Sequence, residues 1–247
     1  MSKVPKEFFV SLSFLLVLLP SIAQALSQKD LQKFVPQGYR LVKYVQGDLN
    51  QDKKPDIVLG VESQKPPYGT AGTPLAKIIV LLRQGNELKK FWVFSDGDSN
   101  LIGRHDQPDK DYIGWIGEPT LIIGDLNWDG KPELIFSLTV LGASEGWVST
   151  YVFAFDKDKF VSLADGPFGH PLDGGVRFKD FNSSKIGKEI LVYEYIWGED
   201  EIHAEPHRYL GKFYGWDPKS QKYKLYKKME TTQKGKAGLK ELFSVSE

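Results

Sequence analysis

The strongest constraint on the fold is a phrase that the chain repeats. GDLNQDKKPDIVLG begins at Gly47, GDLNWDGKPELIF at Gly124, and a looser version, KDFNSSKIGKEILVYE, at Lys179. In each, a cluster of acidic and amide side chains runs directly into an apolar, β-type segment. One occurrence would be a turn. Two close copies and a degenerate third indicate a repeated structural unit.

The flanks repeat as well. Strand-like segments precede the words at Leu41–Val45, Thr120–Ile123 and Val176–Phe178, and follow them at Ile57–Val61, Leu134–Leu138 and Ile190–Tyr195. A hairpin comes next each time: Lys77–Leu82 with Lys89–Phe94, Thr150–Phe155 with Phe160–Leu163, and Tyr209–Trp216 with Lys222–Lys227. The turns between them, Gln84-Gly85-Asn86, Asp156-Lys157-Asp158 and Asp217-Pro218-Lys219-Ser220, carry hairpin residues. The unit is therefore four strands with the acidic loop between the first two, which is what a propeller blade requires. This predicts an all-β fold: a propeller-like array of about three four-stranded blades over 37–230. The array is open or incompletely closed, because closed propellers usually have about four to eight blades. The polar insertion Ser95–Gly117 is expected to form loops on one face. Ahead of the repeats, 26–36 predicts a short helix capped by Ser27 and stopped by Pro36. The Lys- and Gly-rich tail, 231–247, predicts a frayed terminus.

Residues 1–25 have the pattern of a signal peptide. Lys3 and Lys6 precede the apolar stretch Phe8–Leu19, Pro20 breaks it, and Ala23-Gln24-Ala25 supplies small-x-small. The expectation is a secreted or periplasmic protein. With no cysteine in the chain, neither a disulfide framework nor a cysteine lipid anchor is available, so no stable membrane anchor is expected. A formal net charge of zero lacks the basic excess that nucleic acid demands. There is no Gly-rich phosphate loop, G-x-S-x-G elbow or cysteine nucleophile.

The acidic words themselves point to a metal. Asp48, Asn50, Asp52 and Asp56 stand at positions 1, 3, 5 and 9 of the first loop, and Asp125, Asn127, Asp129 and Glu133 do so in the second. Alternate side chains in a tight loop turn their oxygens inward, and Lys54 and Lys131 at position 7 can add backbone carbonyls. About five hard oxygens plus water make a calcium shell, and such a set suits zinc or copper poorly. Without a cation, these carboxylates repel one another. An EF-hand is excluded, because position 12 is Leu59 or Phe136 in a β-type run rather than a bidentate Glu before a helix. The plainer alternative is a set of Asx-turns that cap the strands without metal.

D-x-N-x-D-G-x-x-[DE] followed by a short apolar strand resembles the FG-GAP/VCBS repeat of integrin-α-like β-propellers, over Gln37–Lys228 in three units. The resemblance implies that Asp48, Asn50, Asp52, Asp56, Asp125, Asn127, Asp129 and Glu133 are calcium ligands. The first loop has Lys53 where the family prefers Gly. The third has Asp180 and Asn182 but Ser184 at position 5, and it needs one extra residue before Glu189 aligns. A left-handed position 6 makes the second loop, with Gly130, the tighter site.

Other groupings are weaker. His203, Glu205 and His207 lie two apart and would share a strand face as a zinc site, but Pro206 argues against a central strand and favours a solvated loop. His105, Asp106, Asp109, Asp111 and Trp115 share the polar insertion without a specific spacing, and read as surface. Trp92, Trp115, Trp147, Trp197 and Trp216 are expected to pack between blades, and Trp128, inside a calcium loop, to be exposed. The function expected is that of a protein- or glycan-binding module, with oligomers allowed by an open array. The alternatives are a calcium-dependent polysaccharide lyase or hydrolase, or a purely structural repeat.

Overall fold

The computed structural model describes residues 28–65, 74–95, 101–102, 120–141, 146–181, 186–198 and 205–245. The signal-peptide segment, most of the polar insertion, Asn182, Ser184 and His203 lie outside the described residues. Two compact units are present, Met1–Lys33 and Phe34–Glu247. Helix α1 (Gln28–Gln32) belongs to the first.

The second unit is built from antiparallel sheets. The first sheet is a meander of β1 (Tyr39–Gly47), β2 (Asp56–Ser63), β3 (Ala76–Gln84) and β4 (Glu87–Phe94). The second contains β5 (Leu101–Ile102), β6 (Leu121–Gly124), β7 (Glu133–Leu141), β8 (Gly146–Asp156), β9 (Lys159–Ser162) and β10 (Phe168–Pro171). The third is again a four-stranded meander, β11 (Gly175–Lys179), β12 (Glu189–Ile196), β13 (Arg208–Asp217) and β14 (Lys222–Glu230). Each expected acidic loop joins the first two strands of a meander: β1 to β2, β6 to β7, β11 to β12.

The turn chemistry is local. Asp156 pairs with Lys159 across Lys157 and Asp158, both at positive φ (45° and 64°), the left-handed pair that a two-residue hairpin needs. Inner strands such as β2 and β7 are buried on both faces and read as unbroken apolar runs. Of the last strands, β14 is largely exposed and β4 is half so, and they carry Lys89, Lys90, Lys224, Lys227 and Lys228, which discourage further edge pairing.

The second sheet departs from the four-strand expectation. β7 has nine residues and β8 eleven, but β6 and β9 have only four each. The free halves of the long strands are paired instead by β5, at Thr139 and Leu138, and by β10, at residues 147–150. Leu101 and Ile102 of the polar insertion thus form a strand, and Ile102 is buried.

Alternation along the strands sorts the core into layers. Val58, Ile78 and Val80 of the first sheet share a cluster with Leu134, Phe136 and Leu138 of the second. Ile135 and Val152, on the other face of the second sheet, share one with Ile190 and Val192 of the third. The third sheet's far face, with Leu191, Tyr193, Tyr209 and Phe213, is covered by helix α2 (Gly235–Phe243) through Leu239, Leu242 and Phe243. The frayed-terminus expectation is therefore corrected. Gly211 lets the helix sit close, since a Cβ there would lie 2.4 Å from Leu242 Cδ1. Glu241 accepts the Thr232 and Gln233 amides and anchors the connection.

Candidate metal centre

Loop 1 (48–56) and loop 2 (125–133) have the same backbone course. Asn50 and Asn127 accept the amides of Asp52 and Asp129 (3.2 and 3.0 Å), and Asp52 and Asp129 accept those of Lys54 and Lys131 (2.9 and 2.8 Å). Asp48 and Asp125 accept the amides of Lys53 and Gly130 (2.8 and 3.0 Å). Position 6 is left-handed in both, at φ 65° for Lys53 and 82° for Gly130, as the spacing required. Position 4 is left-handed too, at Gln51 (59°) and Trp128 (58°). The Asx-turns of the plainer reading are thus present.

All three loops close in one way. The residue after the first Asp donates its amide to the carboxylate that opens the second strand: Leu49 to Asp56 (2.9 Å), Leu126 to Glu133 (2.6 Å) and Phe181 to Glu189 (2.8 Å). These terminal carboxylates are fully buried. The one-residue insertion in the third loop leaves this tie intact. The loops also touch. Gln51 Nε2 donates to Gly130 O (2.9 Å), and the Lys188 amide to Leu126 O (2.6 Å). A Cβ on Gly187 would lie 2.6 Å from the Asn127 Cα, so glycine is needed where loop 3 crosses loop 2.

The two good loops differ at position 9. Asp56 has both oxygens occupied, because Oδ1 also accepts the Arg83 amide at 2.8 Å. Burial raises its pKa, and the amides of Arg83, Leu49 and Asn50 oppose that. Glu133 has one carboxylate oxygen engaged; Oε1 is buried without a hydrogen-bond partner, as is Asp125 Oδ1. Burial, joined by the charges of Asp129 and Asp125, pushes the Glu133 carboxyl up to about 7. One oxygen each from Asp125, Asp129 and Glu133 gather within 4.8 Å. Among the described residues, Asp48, Asp52 and Asp56 do not gather in this way.

Loop 2 therefore fits a hard divalent cation: clustered carboxylates, two of them with buried unpartnered oxygens, and a Glu133 whose ionisation is penalised by burial and by its acidic neighbours. Loop 1 fits less well, with Asp48 Oδ1 as its buried unpartnered oxygen. In loop 3, Asp180 Oδ1 and Glu189 Oε1 are buried and unpartnered in the same way, so what sets loop 2 apart among the described residues is the gathering of its three carboxylates.

Sequence reasoning missed Tyr223 of β14. It is 3% exposed, its hydroxyl lacks a hydrogen-bond partner, and burial followed by the charges of Glu133, Asp125 and Asp129 pushes its phenol up. Nothing in the alternating KYKLY segment marks it. His207, expected in a solvated loop, is buried and packs on Trp197 (4.3 Å) and Tyr195 (4.8 Å). Trp92 and Trp216 pack in the inter-sheet layers and Trp128 is exposed, as expected, but Trp147 and Trp197 are exposed as well.

Compared with profiles of protein families and with curated proteins, the chain matches none of either. No helix among the described residues is long and apolar enough to cross a membrane.

Proposed function

We propose that this is an exported, calcium-stapled β-repeat protein of the FG-GAP/VCBS type, acting as a binding module for a protein or glycan. Its sheets are then blades of an open propeller-like array, with α2 ending the stack where a further blade would otherwise pack. The recurring loop position and the shared apolar layers support that arrangement. Calcium occupies loop 2 and, more weakly, loop 1. Asp125, Asn127, Asp129 and Glu133 would hold it in the first case and Asp48, Asn50, Asp52 and Asp56 in the second, with Lys131 and Lys54 offering carbonyls. The cation neutralises the crowded carboxylates and fixes the loops.

The observation that carries this reading is the gathering of oxygens from Asp125, Asp129 and Glu133 within 4.8 Å, two of these residues having a buried, unpartnered oxygen. A ligand face at the loop end is supported by Trp128 and Ile186, each 54% exposed. An open groove of about 410 Å³ beside Ile186 is lined by Trp216 and Tyr226 with Asp217 and Lys224, the aromatic and polar mixture that binds sugars or peptide side chains. A glycan array and a pull-down from the native medium, each with calcium and with chelator, test it. Calcium-dependent retention of a ligand is expected, and a protein that binds neither calcium nor any ligand overturns it.

A further inference from the structure

The groove beside Ile186 lies where the β13–β14 turn meets loop 3. Gly215 lines it with backbone alone, Trp216 and Tyr226 supply aromatic rings, and Asp217 and Lys224 supply charge. The Asp217 carboxylate is engaged by its own turn: it accepts the Lys219 amide (3.1 Å) and the Ser220 hydroxyl (2.7 Å) and pairs with Lys224 (3.6 Å). Cations are in surplus here. Residues 217–230 carry five lysines against Asp217 and Glu230, and Glu230 already faces Arg208 at 3.9 Å. Lys224 is half exposed. Lys219 and Lys227 adjoin the lining residues Pro218 and Tyr226, are exposed, and form no ion pair among the described residues. The Ile186 side of the groove is seated on loop 2. A Cβ on Gly187, the next residue, would lie 2.6 Å from both Asn127 Cα and Leu126 O, and the Lys188 amide donates to Leu126 O at 2.6 Å. The two residues that follow Ile186 therefore rest on the backbone of the candidate cation loop.

We propose that this groove takes an anionic glycan, with carboxylate or sulfate groups on its sugar rings, and that the cation of loop 2 strengthens its binding by holding the Ile186 wall. Trp216 and Tyr226 offer flat apolar faces to the C–H faces of a sugar ring. Lys224, with Lys219 and Lys227 beside it, supplies the countercharge. A purely acidic peptide answers the lysines but not the rings. The inference rests on the calcium reading of loop 2 and on the binding-module reading, and adds the ligand class and the route by which the metal acts on it. A bound cation fixes Leu126 and Asn127, and through them Gly187 and Ile186. Metal and glycan favour the same arrangement of the two loops, so by linkage each raises the affinity of the other.

The test titrates three probes calorimetrically, in calcium and in chelator: a heparin-derived hexasaccharide, which carries both carboxylate and sulfate, neutral maltohexaose, and an octaglutamate peptide. The proteins are wild type, Ile186→Ala and the double variant Lys224→Gln/Lys227→Gln. All three positions are exposed, so the variants should melt with wild type. Wild type should bind the heparin hexasaccharide at least about fivefold more tightly in calcium, the lower end of ordinary coupling between sites, and the other two probes more weakly. The lysine double variant should lose about tenfold in both conditions, as two charge-assisted contacts are gone. Ile186→Ala should weaken binding about fivefold in calcium and leave it unchanged in chelator. Equal hexasaccharide affinity with and without calcium overturns the inference. So does wild-type affinity in the lysine double variant, or a calcium gain in Ile186→Ala as large as in wild type. Tighter binding of maltohexaose or octaglutamate overturns the anionic glycan and leaves the binding-module reading standing. Failure of all three probes overturns the inference, and if wild type also binds no calcium, the calcium reading falls with it.

Discussion

Glu133→Gln separates the effect of burial from that of the metal. The Glu133 carboxyl has a pKa of about 7 in the folded chain against an ordinary 4.5. The folded state then binds the extra proton, and stability falls as pH rises from about 4.5 to 7, levelling above that. At pH 8 in chelator, ionising this buried group costs the fold about 3 kcal/mol. Glutamine is isosteric, carries no charge, still offers an oxygen to the Leu126 amide, and turns its NH₂ toward Asp125 and Asp129. Glu133→Gln should therefore melt higher than wild type at pH 8 in chelator. At 2–4 °C per kcal/mol for a chain of this size, the shift is about 6–12 °C. At pH 5 the gap should shrink below about 1 kcal/mol, since the wild-type carboxyl is then protonated. About 1 mM calcium should narrow the pH 8 gap by roughly 0.4–1.4 kcal/mol by stabilising wild type alone, taking extracellular affinities of about 10⁻⁴–10⁻³ M. Asp56→Asn should behave oppositely, because both Asp56 oxygens accept amides and the NH₂ would face a donor, at about 1–3 kcal/mol. Circular-dichroism melts at the two pH values decide the matter. A Glu133→Gln protein that melts at or below wild type at pH 8 in chelator would mean that the buried Glu133 carboxylate does not destabilise the metal-free fold.

Lys53→Gly relieves a left-handed side chain at φ 65° and should stabilise the protein by about 1 kcal/mol in urea unfolding. Leu242→Ala empties a fully buried position beneath α2 and should cost about 2–5 kcal/mol in the same assay. A negligible effect would mean that the helix is not part of the core. Calcium binding at pH 7 should release about half a proton from Glu133, as read by calorimetry in buffers of different ionisation enthalpy, and none near pH 9.

The meanders were legible because each carries its own punctuation. The acidic word fixed where the first two strands turn, and Gly85-Asn86, Lys157-Asp158 and Asp217–Ser220 fixed the hairpins. The left-handed position 6 was legible from Gly130 alone, and Lys53 adopts it because the same side-chain-to-amide bonds hold both loops. β5 and β10 were not legible: each is short and is created by the free half of a longer neighbour. Helix α2 was hidden by composition, since Gly235, Gly238 and the lysines read as a tail. The spacing of Leu239, Leu242 and Phe243 was the signal available for it. The burial of Tyr223 could not be found from sequence, because it depends on the third sheet packing against the second. The inequality at position 9 was also out of reach. It arises from the Arg83 amide, far along the chain, which takes the second oxygen of Asp56 and has no counterpart at Glu133.

Calcium calorimetry on Asp129→Ala beside Asp52→Ala tests whether loop 2 is the principal cation site. Asp129 is one of the three carboxylates that gather within 4.8 Å, whereas loop 1 pairs a strained Lys53 with an Asp56 whose oxygens are both engaged. Asp129→Ala should abolish the tighter event and leave a weaker one. Asp52→Ala should leave the tighter event unchanged. Loss of the tighter event in Asp52→Ala and its survival in Asp129→Ala would place the principal site in loop 1 instead.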